Sequence, residues 1–435
     1  MTVTGKALAR SRIHPAWIIA GLTFLTLMAT AGFRSAPSVL IVPLEEAFGW
    51  GRDGISLAVS INVLLYGLTA PFAAALMERF GIKRVVLVAL TTVGSGALLT
   101  MLIDSLWQLV ALWGFVVGIG TGSMALVFAA SIVNRWFIER KGLVIGALTA
   151  AAATGQLIFL PTLSSLAMDY GWKSVSLTVG VAALVMVPLI YLVLPERPSA
   201  IGVKPYGAPD EWNEAPSNTT NAAKLAVTTL RESLRNKNFW YLTISFFVCG
   251  LSTSGLIGTH FIPAAHDHGM MQVAAASLLA LIGVFDVVGT LLSGWLTDRI
   301  DPRKLLFCYY LLRGISLFLL PSILFATIHP STLFFVIFYG LDWVATVPPT
   351  ILLCRTVLGP ARSTVVYGWV FASHQIGGSI AAIGAGVARV KFGDYALAFY
   401  LSGLACVAVS FLVLRITYLK KVETPDGMRR QGFLI

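Results

Sequence analysis

Four ionisable side chains sit inside long apolar runs. Arg34 lies in GFRSAPSVL, Asp286 in LLALIGVFDVVGTLLSGW, Arg313 in YYLLRGISLFLLP and Asp342 in FYGLDWVATVPPT. A charge in such a run costs about 3 kcal/mol or more, so each needs a partner or a task. Arg34 offers a permanently charged planar fork suited to a carboxylate, and so reads as a substrate clamp. An aspartate at Asp286 or Asp342 can take up and release a proton, which suits coupling. Arg313 and Asp342 fall in consecutive runs and read as a charge pair. Just after Asp342, Thr346-Val347-Pro348-Pro349 must bend a helix and free backbone carbonyls, which makes this segment a candidate gate. His374 and Gln375 (GWVFASHQIGGS), with Asn62, Tyr66 and Gln156, add neutral hydrogen-bonding groups for a substrate. Bonds between helices would use the same atoms.

The elements that must position these residues follow from composition. The chain has 435 residues, 57% of them hydrophobic and 12% charged, with a mean hydropathy of +0.82. A soluble domain would carry about twice that charge. The apolar runs are long enough to cross a hydrocarbon core of roughly 30 Å as helices, and a backbone in lipid has to satisfy its own hydrogen bonds. The reading is an all-α membrane protein with twelve transmembrane helices and both termini in the cytoplasm. Only Arg52, Lys173, Arg389 and Lys391 fall in outer segments and Arg34 and Arg313 within spans. The rest of the 31 Lys and Arg fall in cytoplasmic segments, which sets the orientation. The net charge of +11 is therefore this bias together with attraction to lipid headgroups, and no nucleic acid is implied. The N-terminal stretch with Lys6, Arg10 and Arg12 reads as a cytoplasmic tail and not as a cleaved signal. Cys249, Cys308, Cys354 and Cys406 all lie in apolar segments and read as small buried hydrophobes. Glycine runs such as GFVVGIGTG (114–122) sit inside spans, where they allow close helix packing. Neither nucleotide-loop, zinc nor nucleophile–base spacing occurs, so the chain reads as no enzyme, with no metal and no cofactor. His260 and the His266-Asp267-His268 cluster offer too few ligands for a metal site.

Residues 195–237 interrupt the pattern with PERPSAIGVKPYGAPDEWNEAPSNTTN and a weakly amphipathic stretch expected on the inner membrane surface. They read as a cytoplasmic linker between an N-terminal six-helix bundle (1–194) and a C-terminal one (238–435). The halves repeat. AALMERFGIKRV (74–85) follows the second span and SGWLTDRIDPRKL (293–305) the eighth, so Glu78-Arg79 and Asp298-Arg299 align at an offset of 220 residues. Internal repeats of this kind mark secondary transporters, whose site lies between the repeats near the midplane.

These two acidic-Arg-x-x-x-basic-basic loops resemble the loop motif of the major facilitator superfamily. The first copy has Ala74 where that motif usually has Gly. The resemblance spans the chain and implies two six-helix bundles, alternating access, and a central cavity lined by the first, fourth, seventh and tenth spans. VPLEEAFGWGRDGIS (42–56), NRWFIERKG (134–142) and DYGWKS (169–174) resemble the monocarboxylate and oxalate–formate transporter branch, which implies a small organic anion, often moved with a proton. Three departures are visible. Where animal members of that branch follow the eighth-span Asp with Arg four residues on, this chain has Thr290 after Asp286. Their first-span Lys is answered by Arg34, about one turn earlier. The eleventh-span Lys of the oxalate–formate members is answered by His374 and Gln375. GALTAAAATG (146–155) lacks the Gly-Pro-x-x-Gly-Gly element of proton-driven drug exporters.

The expectation is thus a monomeric secondary transporter of the cell (inner) membrane, moving a small, monocarboxylate-like anion by alternating access in symport with a proton. Its partners are that anion, protons and membrane lipid. Arg34 is expected to be neutralised by Asp286 in the empty state and freed when Asp286 is protonated, with Phe33, Leu256 and Phe371 as apolar walls. The loops at Glu78, Arg79, Asp298 and Arg299 are expected to act as cytoplasmic gates. The alternatives are a proton-driven exporter of amphipathic drugs, an anion exchanger, or a transporter-like sensor.

Overall fold

The computed structural model describes residues 13–209, 222–297, 299–359 and 362–417, and their regular structure is helical apart from one isolated bridge between Phe137 and Tyr206. In chain order the first six spans are Pro15–Phe48, Arg52–Phe80, Ile82–Leu102, 106–136, Lys141–Tyr170 and Trp172–Val193. The last six are Lys237–Asp267, Gln272–Thr297, Pro302–Ile323, Pro330–Leu358, Ser363–Phe392 and Ala396–Val413. Among the described residues, nine of these are long and apolar enough to cross a membrane. Arg52–Phe80 and Lys141–Tyr170, of 29 and 30 residues, and the segmented stretch 106–136 complete the order.

Span ends follow local chemistry. Pro15 opens the first helix, where its missing N–H is no loss, and His14 Nδ1 accepts the N–H of Ala16 at 3.2 Å. The same helix stops at Gly49, whose φ of 67° is open to glycine at little cost. Asp301 caps the ninth span by accepting the Arg303 N–H at 2.9 Å. The hydrogen bond from the Arg303 side chain also holds the Asp301 carboxyl below its usual range, against an opposing push from burial.

The packing repeats along with the sequence. The first span lies on the fifth and the seventh on the eleventh. The second lies on the fourth and the eighth on the tenth, and the third on the sixth and the ninth on the twelfth. Each pairing recurs six spans later, as two related bundles require. Between the bundles the second span meets the eleventh and the fifth meets the eighth. The third, sixth, ninth and twelfth spans turn Val88, Val185, Leu319 and Leu404 outward, more than half exposed, to the face that lipid covers. The fourth and tenth spans are both interrupted, at 123–124 and at 343–346, and these breaks start at the same 220-residue offset as the two loops.

The linker stretch differs from the surface-lying helix expected for it. Its helix, Ala222–Ser233, docks on the cytoplasmic ends of the second and eleventh spans. Trp369 Nε1 donates to the Ala226 carbonyl at 3.0 Å, and Arg362 pairs with Glu232. Thr229 and Ser233 are buried where this helix docks.

Close helix crossings rest on small residues. Gly250 of the seventh span lies against the His374 backbone, and Gly377 of the eleventh against the Phe247 backbone, with no room for a Cβ at either. Gly250→Ala should therefore cost about 1–3 kcal/mol through overpacking, read as a lower Tm of the detergent-purified chain. Gly384→Ala, whose Cβ meets nothing within 4 Å, should leave Tm unchanged or raise it.

Candidate functional site

The tenth-span break organises the membrane charges. Pro348 and Pro349 have no N–H to donate, and residues 343–346 leave the helix, so several backbone groups lose their partners in the membrane interior. Arg313, fully buried on the ninth span, takes two of them: Nη2 donates to the carbonyls of Asp342 at 2.5 Å and Trp343 at 3.2 Å. Its Nε binds Asp342 Oδ2 at 2.6 Å and its Nη1 approaches Cys249 Sγ at 3.0 Å. The N–H of Val344 donates to Asp286 Oδ1 at 3.0 Å, and the Ala345 carbonyl accepts from Ser293 Oγ at 2.5 Å. Four backbone groups of the break are thus held by side chains of the eighth and ninth spans.

Arg313 and Asp342 meet as a pair, and both are buried at 0% and 6% exposure, so neither faces open space. Asp286 is only half-buried. Thr290 Oγ1 donates to its Oδ1 at 3.0 Å, one helical turn on. No ion pair joins Asp286 to a cation among the described residues, although the charges of Arg313 and Arg34 both reach it. The direct Arg34–Asp286 pair expected for the empty state is therefore not formed. Asp286 is directed instead at Thr290 and at the freed N–H of Val344.

Arg34 is exposed, while every other residue from Ala31 to Val42 is buried. Its guanidinium carbon lies 5.3 Å from the centre of the Tyr66 ring, close enough for a cation–π contact that leaves the N–H fork open. Gln156 is half-buried and makes no hydrogen bond with the described residues. Asn62 Nδ2 donates to the Trp113 carbonyl at 2.7 Å, tying the second span to the fourth. Gln375 is 3% exposed and packs on Gly67 between the second and eleventh spans. These two are committed to helix contacts, because each sits on the face where its span meets a neighbour. Phe33 and Leu256 are likewise buried in packing and not in a cavity wall, whereas Phe371 is half-buried and stacks on His374 at 5.8 Å. His374 lies 3.4 Å from Thr253 Oγ1 through Nε2, and its buried Nδ1 has no partner among the described residues.

Of the loop residues, Arg79 is exposed and contacts Phe80 at 5.2 Å. Arg299 folds back onto Trp295, 4.1 Å from its ring, and donates to the Trp295 carbonyl at 3.0 Å. Asp298 and the side chain of Glu78 lie outside the described residues.

Comparison with known proteins fits this arrangement. A family model described as the Major Facilitator Superfamily matches residues 22–382. An uncharacterized MFS-type transporter of Bacillus subtilis (strain 168), YcxA, is 24% identical over 428 residues, covering 94% of this chain and 97% of that one. Monocarboxylate transporter 12 of Xenopus laevis is 25% identical over 432 residues, covering 95% and 91%. Among solved structures, an inward-facing, occupied bacterial homolog of the human lysosomal transporter Spinster superposes with a TM-score of 0.69 at 14% identity, covering 93% and 96%. The E. coli xylose transporter XylE gives 0.68 at 14%, covering 94% and 98%. The structural likenesses concern the fold.

The pair and the break make a stability prediction. Arg313→Gln leaves a buried carboxylate and two carbonyls short of partners and should cost about 3–5 kcal/mol. Asp342→Asn leaves Arg313 its carbonyls but strands its buried charge, and should cost a similar amount. Thermal unfolding of both variants in detergent checks this.

Proposed function

Because the chain belongs to the Major Facilitator Superfamily, and is therefore a secondary transporter and no enzyme, we propose that it carries a small organic monocarboxylate together with a proton across the cell membrane. The observation that carries this reading is Arg34: a cation deep in the first span, exposed among buried neighbours, with an aromatic ring beneath it and its fork without a hydrogen-bond partner among the described residues. A carboxylate fits that fork in two parallel hydrogen bonds. Tyr66 supplies a flat apolar floor for the remainder of a small anion, and Gln156 and Phe371 are half-buried groups available to it. The names of relatives such as monocarboxylate transporter 12 support the same substrate class.

Charge balance supports the proton. Arg313 and Asp342 cancel each other, which leaves Arg34 and Asp286 as opposite charges that are not in contact. A carboxylate on Arg34 would make the set net negative in a poorly solvated interior. Protonating Asp286 restores neutrality. Binding of the anion and of the proton then favour each other, as linkage requires. Protonation also weakens the acceptor that holds the Val344 N–H, so the loaded state acts on the tenth-span break. The loops around Arg79 and Arg299 are proposed as cytoplasmic latches for the opposite, outward-facing state. The chain is proposed to work as two bundles (1–194 and 238–435) joined by the linker, in one monomer.

Two outcomes are expected. A monocarboxylate at about 100 times its Kd should stabilise the purified chain by about 2.7 kcal/mol, more at acid than at neutral pH, and should have no effect on Arg34→Gln. In proteoliposomes, Asp286→Asn should bind the anion yet lose substrate-driven proton movement. Stabilisation by lipophilic cations with none by carboxylates would replace this reading with a drug exporter.

A further inference from the structure

Arg52 is a buried cation that anion transport through Arg34 leaves unused. It opens the second span at the outer face and is 5% exposed. Its Nε donates to Glu45 Oε2 at 2.7 Å, and its Nη1 to Asp267 Oδ2 at 2.9 Å and to the Tyr395 hydroxyl at 3.2 Å. Asp267 Oδ2 also accepts from Arg389 Nε at 2.6 Å. The five residues come from both halves. Glu45 ends the first span, and Arg52 follows it in the same half. Asp267 ends the seventh span, Arg389 lies in the last turn of the eleventh, and Tyr395 precedes the twelfth.

The arrangement is two neutral pairs with a shared edge. Glu45 and Arg52 balance each other inside the first half, and Asp267 and Arg389 inside the second. The contacts that cross are Arg52 to Asp267 and Arg52 to Tyr395. A lone buried pair split between two moving bodies would strand a charge on each when it broke, which is prohibitive in a site that must open every cycle. Here each charge keeps its own partner. Close packing seals the path just beneath. Ser60 and Ser379 hydrogen-bond across the second and eleventh spans at 2.8 Å, and Gln272 Nε2 donates to the Val39 carbonyl at 2.7 Å. Gly386 lies so near Ser56 and the Arg52 carbonyl that a Cβ would not fit.

We propose that Arg52 and Asp267 are the outer gate of the transport cycle, the contact that closes the external path and must part in the outward-open state. Glu45 and Arg389 are the keepers that hold each gate charge while it is apart. Neither statement depends on which substrate is carried, so a failure of the monocarboxylate reading leaves the gate standing, and the reverse.

The test uses the full chain in intact cells with a cysteine placed below the gate, Ser379→Cys, and a membrane-impermeant maleimide added outside. Labelling of the chain with its native cysteines alone is subtracted. With the gate intact the label should enter slowly. Arg52→Gln and Asp267→Asn should each raise the rate severalfold, because each removes the crossing contact. Arg389→Gln leaves Asp267 to Arg52 alone and should leave the rate unchanged or lower it. Arg52→Lys keeps the charge but cannot bridge three partners at once, and should be intermediate; it also stands in if the neutral variants do not reach the membrane. No rise with any of the three gate variants, or an equal rise with Arg389→Gln, overturns the proposal.

Discussion

A helix broken inside a bilayer exposes backbone groups that no water will satisfy, and the tenth span of this protein is broken at residues 343–346. The constraint is met by side chains brought from two other spans. Arg313 supplies donors to two carbonyls, Asp286 accepts an N–H, and Ser293 donates to a third carbonyl. Arginine is suited to this because its planar fork offers several donors in fixed directions, while Asp342 beside it balances the charge. The break in turn places Val344 against Asp286, so the group proposed to bind the proton is also a structural partner of the bend.

The same physics separates two kinds of membrane charge. Arg313 and Asp342 are buried and paired with each other, and serve the shape of the second bundle. Arg34 and Asp286 are open, out of direct contact and chemically available. Thr290 stands one turn beyond Asp286 and donates a neutral hydrogen bond where a cation would have formed a fixed pair. A carboxylate answered by hydroxyl and amide groups keeps its freedom to change charge state, which a tight ion pair would suppress.

Repetition of the chain supplies the mechanical frame. The 220-residue offset that relates the two cytoplasmic loops also relates the breaks in the fourth and tenth spans, so the bundles share both a loop position and a bend position. The outer face is different, because the residues that meet there are not equivalent in the two halves: a Glu–Arg pair at 45 and 52 meets an Asp–Arg pair at 267 and 389. Complementary pairs, and not copies of one patch, allow the faces to join with opposite charges opposed.

Much of this was legible in the sequence. Apolar run lengths set the helices, the distribution of Lys and Arg set their orientation, and the aligned loops set the two halves, because each depends on local composition or on repetition. Pro348-Pro349 announced the bend, and the opposite charges of Arg313 and Asp342 in consecutive spans announced a pairing. Tertiary structure decided what depends on the rotation and approach of distant helices. It turned Asn62 and Gln375 into helix contacts, kept Arg34 from Asp286, and docked the linker helix on the second and eleventh spans. It also brought Arg52 to Asp267, 215 residues away in the chain. A one-dimensional pattern records which face of a helix is apolar and not which partner that face will meet.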